Sequence, residues 1–374
     1  MTKKSFAILM VMTMVMAILA GCAPAASTTA APAAPAAPAA TEAVAAPAAE
    51  APAAEAPAAT TITMKGSNPD TPVYDFNPEV KANKPYNIAI IVKSQAAPVW
   101  ESHLIAAAKA GKDMGVNILP YAPTKSDNVA EQKAMLEDVA TKGVDCVVLA
   151  PANSNAVQGP VASLVAKGIP VVYDNTKGAG DDYLSFVGVD SVQAGEIIGK
   201  TVAGLMKDEG KLLILEGVPG QQTSDDRIKG IKSVLDADFP GITYKSISAH
   251  WMFDEGRKVA EDTLQSWPDL KGIVGVGGNS AEGAAEAVDA AGKTGQVIVG
   301  AFDVQSPTVK AMKEGKVAFT ISQGVYEQAY YSVAACVMAL NGQDVPREIR
   351  TPIKVVLAAE VDKYDESPEV LKLR

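Results

Sequence analysis

Histidine occurs only twice in this chain, as His103 and His250, and cysteine only three times. So few soft ligands leave no obvious set for a zinc site and no Cys-His catalytic pair. Positive charge is also in short supply. The formal net charge of -10 argues against a nucleic-acid partner and against electrostatic adhesion to an anionic bilayer. The only long apolar run at the start, Phe6 to Ala20, is too short to span a membrane. Of the cysteines, Cys146 and Cys336 each sit in an apolar run, Val-Asp-Cys-Val-Val-Leu and Ala-Ala-Cys-Val-Met. That context favours two separate buried small hydrophobes over a disulfide or a metal pair.

The first 84 residues have their own logic. Lys3 and Lys4 precede the apolar run, which ends in Leu19-Ala20-Gly21-Cys22, the order of a secretory signal followed by a cleavage zone. The tetrapeptide resembles the lipobox of bacterial lipoproteins, and the resemblance implies a signal peptide over residues 1–21 and a lipid on Cys22. From Ala23 to about Thr60 the chain is mostly Ala and Pro, without the apolar bulk that offsets the entropy of ordering a backbone. Repeated Pro suits an extended spacer. Residues 61–84 carry little pattern of their own, so 22–84 reads as a tether holding a globular part away from a membrane.

From about Pro85 onward, strand-length apolar runs alternate with helix-length amphipathic stretches. Strands are predicted at Tyr86–Val92, Val116–Tyr121, Cys146–Leu149, Pro170–Tyr173 and Leu184–Val189. Helices are predicted between them at about Trp100–Met114, Asn128–Lys142 and Ala156–Lys167. The rhythm restarts with helix Val192–Lys207 and strands Leu212–Leu215, Thr243–Ala249, Gly272–Val276 and Val297–Ala301, with helices at Arg227–Leu235, Gly256–Gln265 and Ala281–Ala291. Near-continuous apolar strands joined by helices predict parallel sheets covered on both faces. The fold class is therefore α/β, with two doubly wound parallel-sheet lobes. Ligands in such sheets bind beyond the carboxyl ends of the strands.

Polar and aromatic residues collect at those ends. They are Lys93, Gln95 and Trp100 after the first strand, Asp174 and Asn175 after the fourth, and Arg227 beyond the Gly217–Gly220 turn. Phe253 in His250-Trp251-Met252-Phe253-Asp254, Asn279, Asp303 and Gln323 complete the set. Carboxylates, an Arg fork, carboxamides and aromatic faces together suit the hydroxyls and the apolar C–H face of an uncharged polyhydroxylated ligand. Each residue has a plainer role open to it: turn capping for Asp174 and Asn175, a helix N-cap for Asn279, a solvated helix position for Arg227, and core for Trp100 and Phe253. Asp303 has the strongest individual case, since a carboxylate directly after a buried strand demands a partner.

Ile169-Pro170-Val171-Val172, Val189-Asp190-Ser191 with Ala194-Gly195, Arg227-Ile228-Lys229-Gly230, Val299-Gly300-Ala301-Phe302-Asp303 and Thr320-Ile321-Ser322-Gln323 resemble ribose-binding-protein-like solute receptors of ABC importers, in order, from Tyr86 to about Ala358. The resemblance implies a type I periplasmic binding protein whose lobes are joined by a three-crossing hinge near Val189-Asp190, Gln323-Gly324 and Ile353-Lys354. It assigns 85–189 with 324–354 to one lobe and 190–323 with 355–374 to the other. Carried over by position, the family's ligand contacts fall on Lys93, Ala97, Val99, Trp100, Asp174 or Asn175, Arg227, Phe253, Gly277, Asp303 and Gln323. Ala97, Gly277 and Gly278 lack arms that family members extend, which implies a different hydroxyl layout or a sugar alcohol. The expected partners are a carbohydrate or polyol, an ABC permease and, through lipid, the outer side of the cytoplasmic membrane or the periplasm. A monomer with no metal, cofactor or nucleic acid is expected. One alternative is a sensory receptor for a nucleoside or furanose signal. Another is a nucleotide-dependent enzyme, but Gly275-Val276-Gly277-Gly278 lacks the GxGxxG spacing.

Overall fold

The computed structural model describes residues 61–68 and 71–364. The expected signal peptide, Cys22, the Ala/Pro-rich stretch to residue 60 and the end of the second lobe from residue 365 lie outside the described residues.

Two six-stranded sheets form. The first holds β1 (Asn87–Ile91), β2 (Asn117–Tyr121), β3 (Cys146–Leu149), β4 (Val171–Asp174), β5 (Ser185–Gly188) and β11 (Glu348–Arg350), in the order β11-β5-β4-β3-β1-β2. The second holds β6 (Gly210–Glu216), β7 (Ile242–Ser248), β8 (Leu270–Gly275), β9 (Ile298–Gly300), β10 (Phe319–Ser322) and β12 (Lys354–Leu357), in the order β12-β10-β9-β8-β6-β7. Pairing is parallel except between β10 and β12. The central strands are buried on both faces because helices cover both sides: β3 and β4 are buried along their whole length.

The helices are α1 (Pro98–Met114), α2 (Val129–Val139), α3 (Gln158–Ala166), α4 (Ser191–Met206), α5 (Gln222–Asp238), α6 (Phe253–Ser266), α7 (Gly278–Ala290), α8 (Ser306–Lys313) and α9 (Val325–Leu340). Local chemistry sets their ends. Pro98 opens α1, where its missing N–H costs nothing, and Gly115 closes it in the left-handed conformation at φ 79°. Asp190 caps α4, its carboxylate accepting from the N–H groups of Val192 and Gln193 at 3.0 Å each. The chain passes between sheets after β5, after β10, and between β11 and β12, so Lys354 opens a strand of the second sheet.

Two sequence expectations are corrected. Residues 61–68 and 71–84, expected to continue the tether, fold against the first sheet. Ser67 and Val73 make parallel bridges to Pro346, just before β11, and to Ile349 within it, and Phe76 is buried edge-on against Tyr331. The apolar residues here are isolated, so no periodicity announces them. Backbone pairing at a sheet edge is what orders the segment. Cys146 and Cys336 are buried as expected, but they form a disulfide across a sequence separation of 190 residues. It joins β3 to α9, the helix that returns from the second sheet, a proximity that apolar context cannot reveal.

Candidate ligand-binding cleft

The carboxyl ends of both sheets' strands face one cavity of about 100 Å³. A water-sized group needs roughly 10–15 Å³ of such space, so the cavity holds about seven to ten of them, the scale of a single small sugar. From the first lobe it is lined by Lys93 and Ser94 after β1, Trp100 on the first turn of α1, Ser126 and Asp127 after β2, and Asn175 after β4. The second lobe brings Thr223 and Arg227 on α5, the His250–Met252 loop, Gly277–Asn279, Asp303 and Gln305, with Gln323 at the second crossing.

Arg227 is placed by helix packing. A Cβ on Gly195 would stand 2.0 Å from the Arg227 carbonyl, and one on Gly230 2.0 Å from the Val192 carbonyl. Both positions must be glycine for α5 to lie this close to α4. The guanidinium is 2% exposed and lies 3.5 Å from the Phe302 ring centroid. Its Nη1 donates to the Val276 carbonyl at 2.8 Å and its Nη2 to Gln323 Oε1 at 3.0 Å, while Nε has no partner. Gln323 Nε2 in turn donates to Asp303 Oδ1 at 2.5 Å. The carboxamide thus links cation to anion and leaves charged groups aimed at the cavity. Burial raises the Asp303 pKa, opposed by Arg227, by Gln323 and by His103; burial also pulls Arg227 down to about 10, opposed by Asp303.

A second cluster spans the lobes. The Lys93 ammonium, 4% exposed, donates to Thr176 Oγ1 at 2.6 Å and sits 5.5 Å from the Trp100 ring centroid. Burial pulls its pKa down to about 8, with Asp127 opposing, Arg227 adding to the fall and Asp174 opposing. Gln221, fully buried, donates to Asp127 Oδ1 at 2.6 Å and accepts from Trp251 Nε1 at 2.9 Å and from Lys93 at 3.4 Å. It therefore orients an aromatic wall of the second lobe while touching two charges of the first.

Backbone strain concentrates here. Among the described residues, eight non-glycine residues have left-handed φ, and five of them, Asp127, Asn175, His250, Trp251 and Asp303, line this cavity. Such conformations cost about 1–3 kcal/mol each and persist where side-chain placement is under constraint.

Of the residues expected from the sequence, Lys93, Trp100, Asn175, Arg227, Asn279, Asp303 and Gln323 line the cavity, as do Ala97, Val99 and Gly277. Three do not. Gln95 is exposed and donates to the Ala122 carbonyl at 3.1 Å. Asp174 lies fully buried behind Asn175, 3.5 Å from His103 Nε2. Phe253 opens α6 and is 39% exposed. The left-handed turn at His250 (φ 46°) and Trp251 (φ 61°) brings Trp251 inward in its place. Asn279 falls inside α7, whose N-cap is Gly277. The sequence reading missed Asp127 and Gln305, although each follows a strand end, and Trp251, although its loop was marked.

Two parallel-sheet lobes crossed three times, with a polar and aromatic cleft between them, define a two-lobed receptor for a small solute. The chain belongs to the periplasmic binding protein family: the model described as "Periplasmic binding protein domain" matches residues 88–344. It is 31% identical over 245 residues to the D-ribose/D-allose-binding protein of Pseudomonas aeruginosa, covering 62% of this chain and 75% of that protein. It is 28% identical over 269 residues to the xylitol-binding protein of Mycolicibacterium smegmatis, covering 71% and 76%. Among solved structures, an ABC transporter solute-binding protein from Agrobacterium vitis bound with α-D-tagatopyranose superposes with a TM-score of 0.71 at 28% identity, covering 77% of this chain and 98% of that one. The fold is that of a type I periplasmic binding protein, and family membership implies export.

Proposed function

We propose that the protein is the receptor of an ABC importer, capturing one uncharged carbohydrate or polyol between its lobes by hinge closure and delivering it to a membrane permease. The observation that carries this reading is the Arg227–Gln323–Asp303 relay with its unpartnered Arg227 Nε, set in a cavity walled by Trp100 and Trp251. Paired donors and acceptors suit hydroxyls, and the aromatic faces suit the C–H face of a ring or an extended polyol. Lys93 and Arg227 are balanced by Asp127 and Asp303, so the cleft makes no net demand for a charged ligand. The named ligands of the relatives, two aldoses, a pentitol and a ketohexose, support the same class.

A thermal-shift screen against monosaccharides, pentitols, hexitols, nucleosides and amino acids tests the reading. A ligand at about 1,000 times its Kd stabilises the folded state by about 4 kcal/mol, which moves the melting temperature by several degrees. Neutral carbohydrates or polyols should give the shift, and a shift only with nucleosides or amino acids would overturn the reading. Leu19-Ala20-Gly21-Cys22 adds that the receptor is held to the membrane by lipid on Cys22. Cys22→Ser should release the protein from membranes or leave it unprocessed, and undiminished membrane association would remove the anchor.

A further inference from the structure

We propose that Gln305 is a specificity-determining residue that makes closure of the lobes depend on one particular hydroxyl of the ligand. This rests on the receptor reading above and deepens it.

Gln305 stands two residues beyond Asp303 and occupies the N-cap position of α8. An N-cap side chain ordinarily bonds the first helical N–H groups. This one does not: the helix takes only the backbone carbonyl of Gln305, from the Val309 N–H at 2.8 Å. The side chain turns into the cleft and is 4% exposed. There its Oε1 accepts from the hydroxyl of Ser102 at 3.3 Å, and its Nε2 has no partner. Exchanging the two ends of the amide does not alter the conclusion. Ser102 engages one end, and the other remains a buried polar atom with nothing to bond. Buried polar atoms in native proteins are almost always satisfied, so an orphan at a ligand cavity marks where the ligand supplies the partner.

The two side chains belong to different lobes. Ser102 lies on α1 of the first and is fully buried, whereas Gln305 follows β9 of the second. When the lobes part, water satisfies both ends of the amide. When they close, Ser102 takes one end and only the ligand is left for the other. A ligand without a hydroxyl at that point would strand the amide in the closed state, so the penalty falls on closure itself. Gln305 is neutral and the Asp303 carboxylate is close in sequence, which favours a neutral hydroxyl over an anionic group at this position.

The test measures affinities by calorimetry for the wild type and for Gln305→Met, using the tightest carbohydrate from the screen and its full set of monodeoxy analogues. Methionine keeps the length of the side chain and removes the amide, and no capping bond is lost. In the wild type one analogue should bind roughly 5- to 150-fold more weakly than the parent because it strands the Gln305 amide. In Gln305→Met that difference should vanish, with the penalties at the other hydroxyls unchanged. Gln305→Asn, one methylene shorter, should reduce the same penalty and no other, and serves if the first variant does not fold. A variant that retains every wild-type penalty, or weakens the whole series equally, overturns the assignment alone. A wild type that binds no carbohydrate or polyol overturns the receptor reading and this inference with it.

Discussion

Replacing Arg227 with methionine should separate folding from binding. Burial pulls the guanidinium pKa down to about 10, so holding its charge in the fold costs about 3 kcal/mol relative to water. Against that stand two hydrogen bonds, to the Val276 carbonyl and to Gln323, worth about 1.5–3 kcal/mol each for a charged donor. The bonds offset that cost or exceed it by up to about 3 kcal/mol, and methionine preserves the packing on Phe302, so the melting temperature should fall by no more than about ten degrees and the fold should survive. Binding has no such cancellation. With Arg227 gone, the closed cleft holds the Asp303 carboxylate, 7% exposed, without a nearby cation on its relay. An uncompensated buried charge costs about 3–5 kcal/mol, a loss of roughly 150- to 5,000-fold in affinity. Calorimetric unfolding and ligand titration on the same preparation read both quantities. A variant that melts like the wild type and binds within tenfold of it would refute the role given to the relay.

Three further outcomes are expected. The Cys146–Cys336 disulfide closes a loop of 190 residues, for which chain entropy predicts a stabilisation of about 5 kcal/mol, so Cys336→Ser should lower the denaturant midpoint markedly; an unchanged midpoint under oxidising conditions would contradict the bond. Below about pH 8 the fold carries a buried Lys93 ammonium, and between about pH 8 and 10.5 the folded state sheds that proton before the unfolded chain does. The stability of Lys93→Met relative to wild type should therefore fall by about 3 kcal/mol across that window, and a pH-independent difference would show that the ammonium is not buried. Gly195→Ala should force α4 from α5 at a cost of about 1–3 kcal/mol and weaken ligand binding by displacing Arg227, whereas an intact affinity would detach this helix contact from the site.

Much of this molecule is legible in its sequence because the strands are buried on both faces. Cys146–Leu149 is found with the bounds its apolar run predicts, and the restart of the rhythm after Leu184–Val189 marks the second sheet. The strand-end rule also finds Lys93, Asn175, Asp303 and Gln323, since a polar side chain just beyond a buried run has few places to go. The misses share a cause. Whether Trp251 or Phe253 enters the cleft depends on two left-handed residues, and sequence spacing carries no sign of them. Asp174 and Asn175 are neighbours, yet the backbone turn at Asn175 (φ 61°) sends one into the cavity and leaves the other behind it. α5 begins at Gln222, five residues before the predicted start, because tight packing on α4 supports a polar first turn that periodicity does not register. The disulfide and the pairing of residues 61–68 and 71–84 depend on contacts distant in sequence, and neither leaves a local pattern.

The central claim is that this cleft holds a neutral polyhydroxylated molecule. Isothermal titration of the purified protein against D-ribose, D-allose, xylitol, their acidic and amino-substituted counterparts, nucleosides and amino acids tests it most directly. The account predicts heat with at least one neutral carbohydrate or polyol, at one site per chain and about micromolar affinity or tighter, near -8 kcal/mol, with the charged counterparts much weaker. Heat confined to a nucleoside, an amino acid or a charged sugar derivative would contradict it.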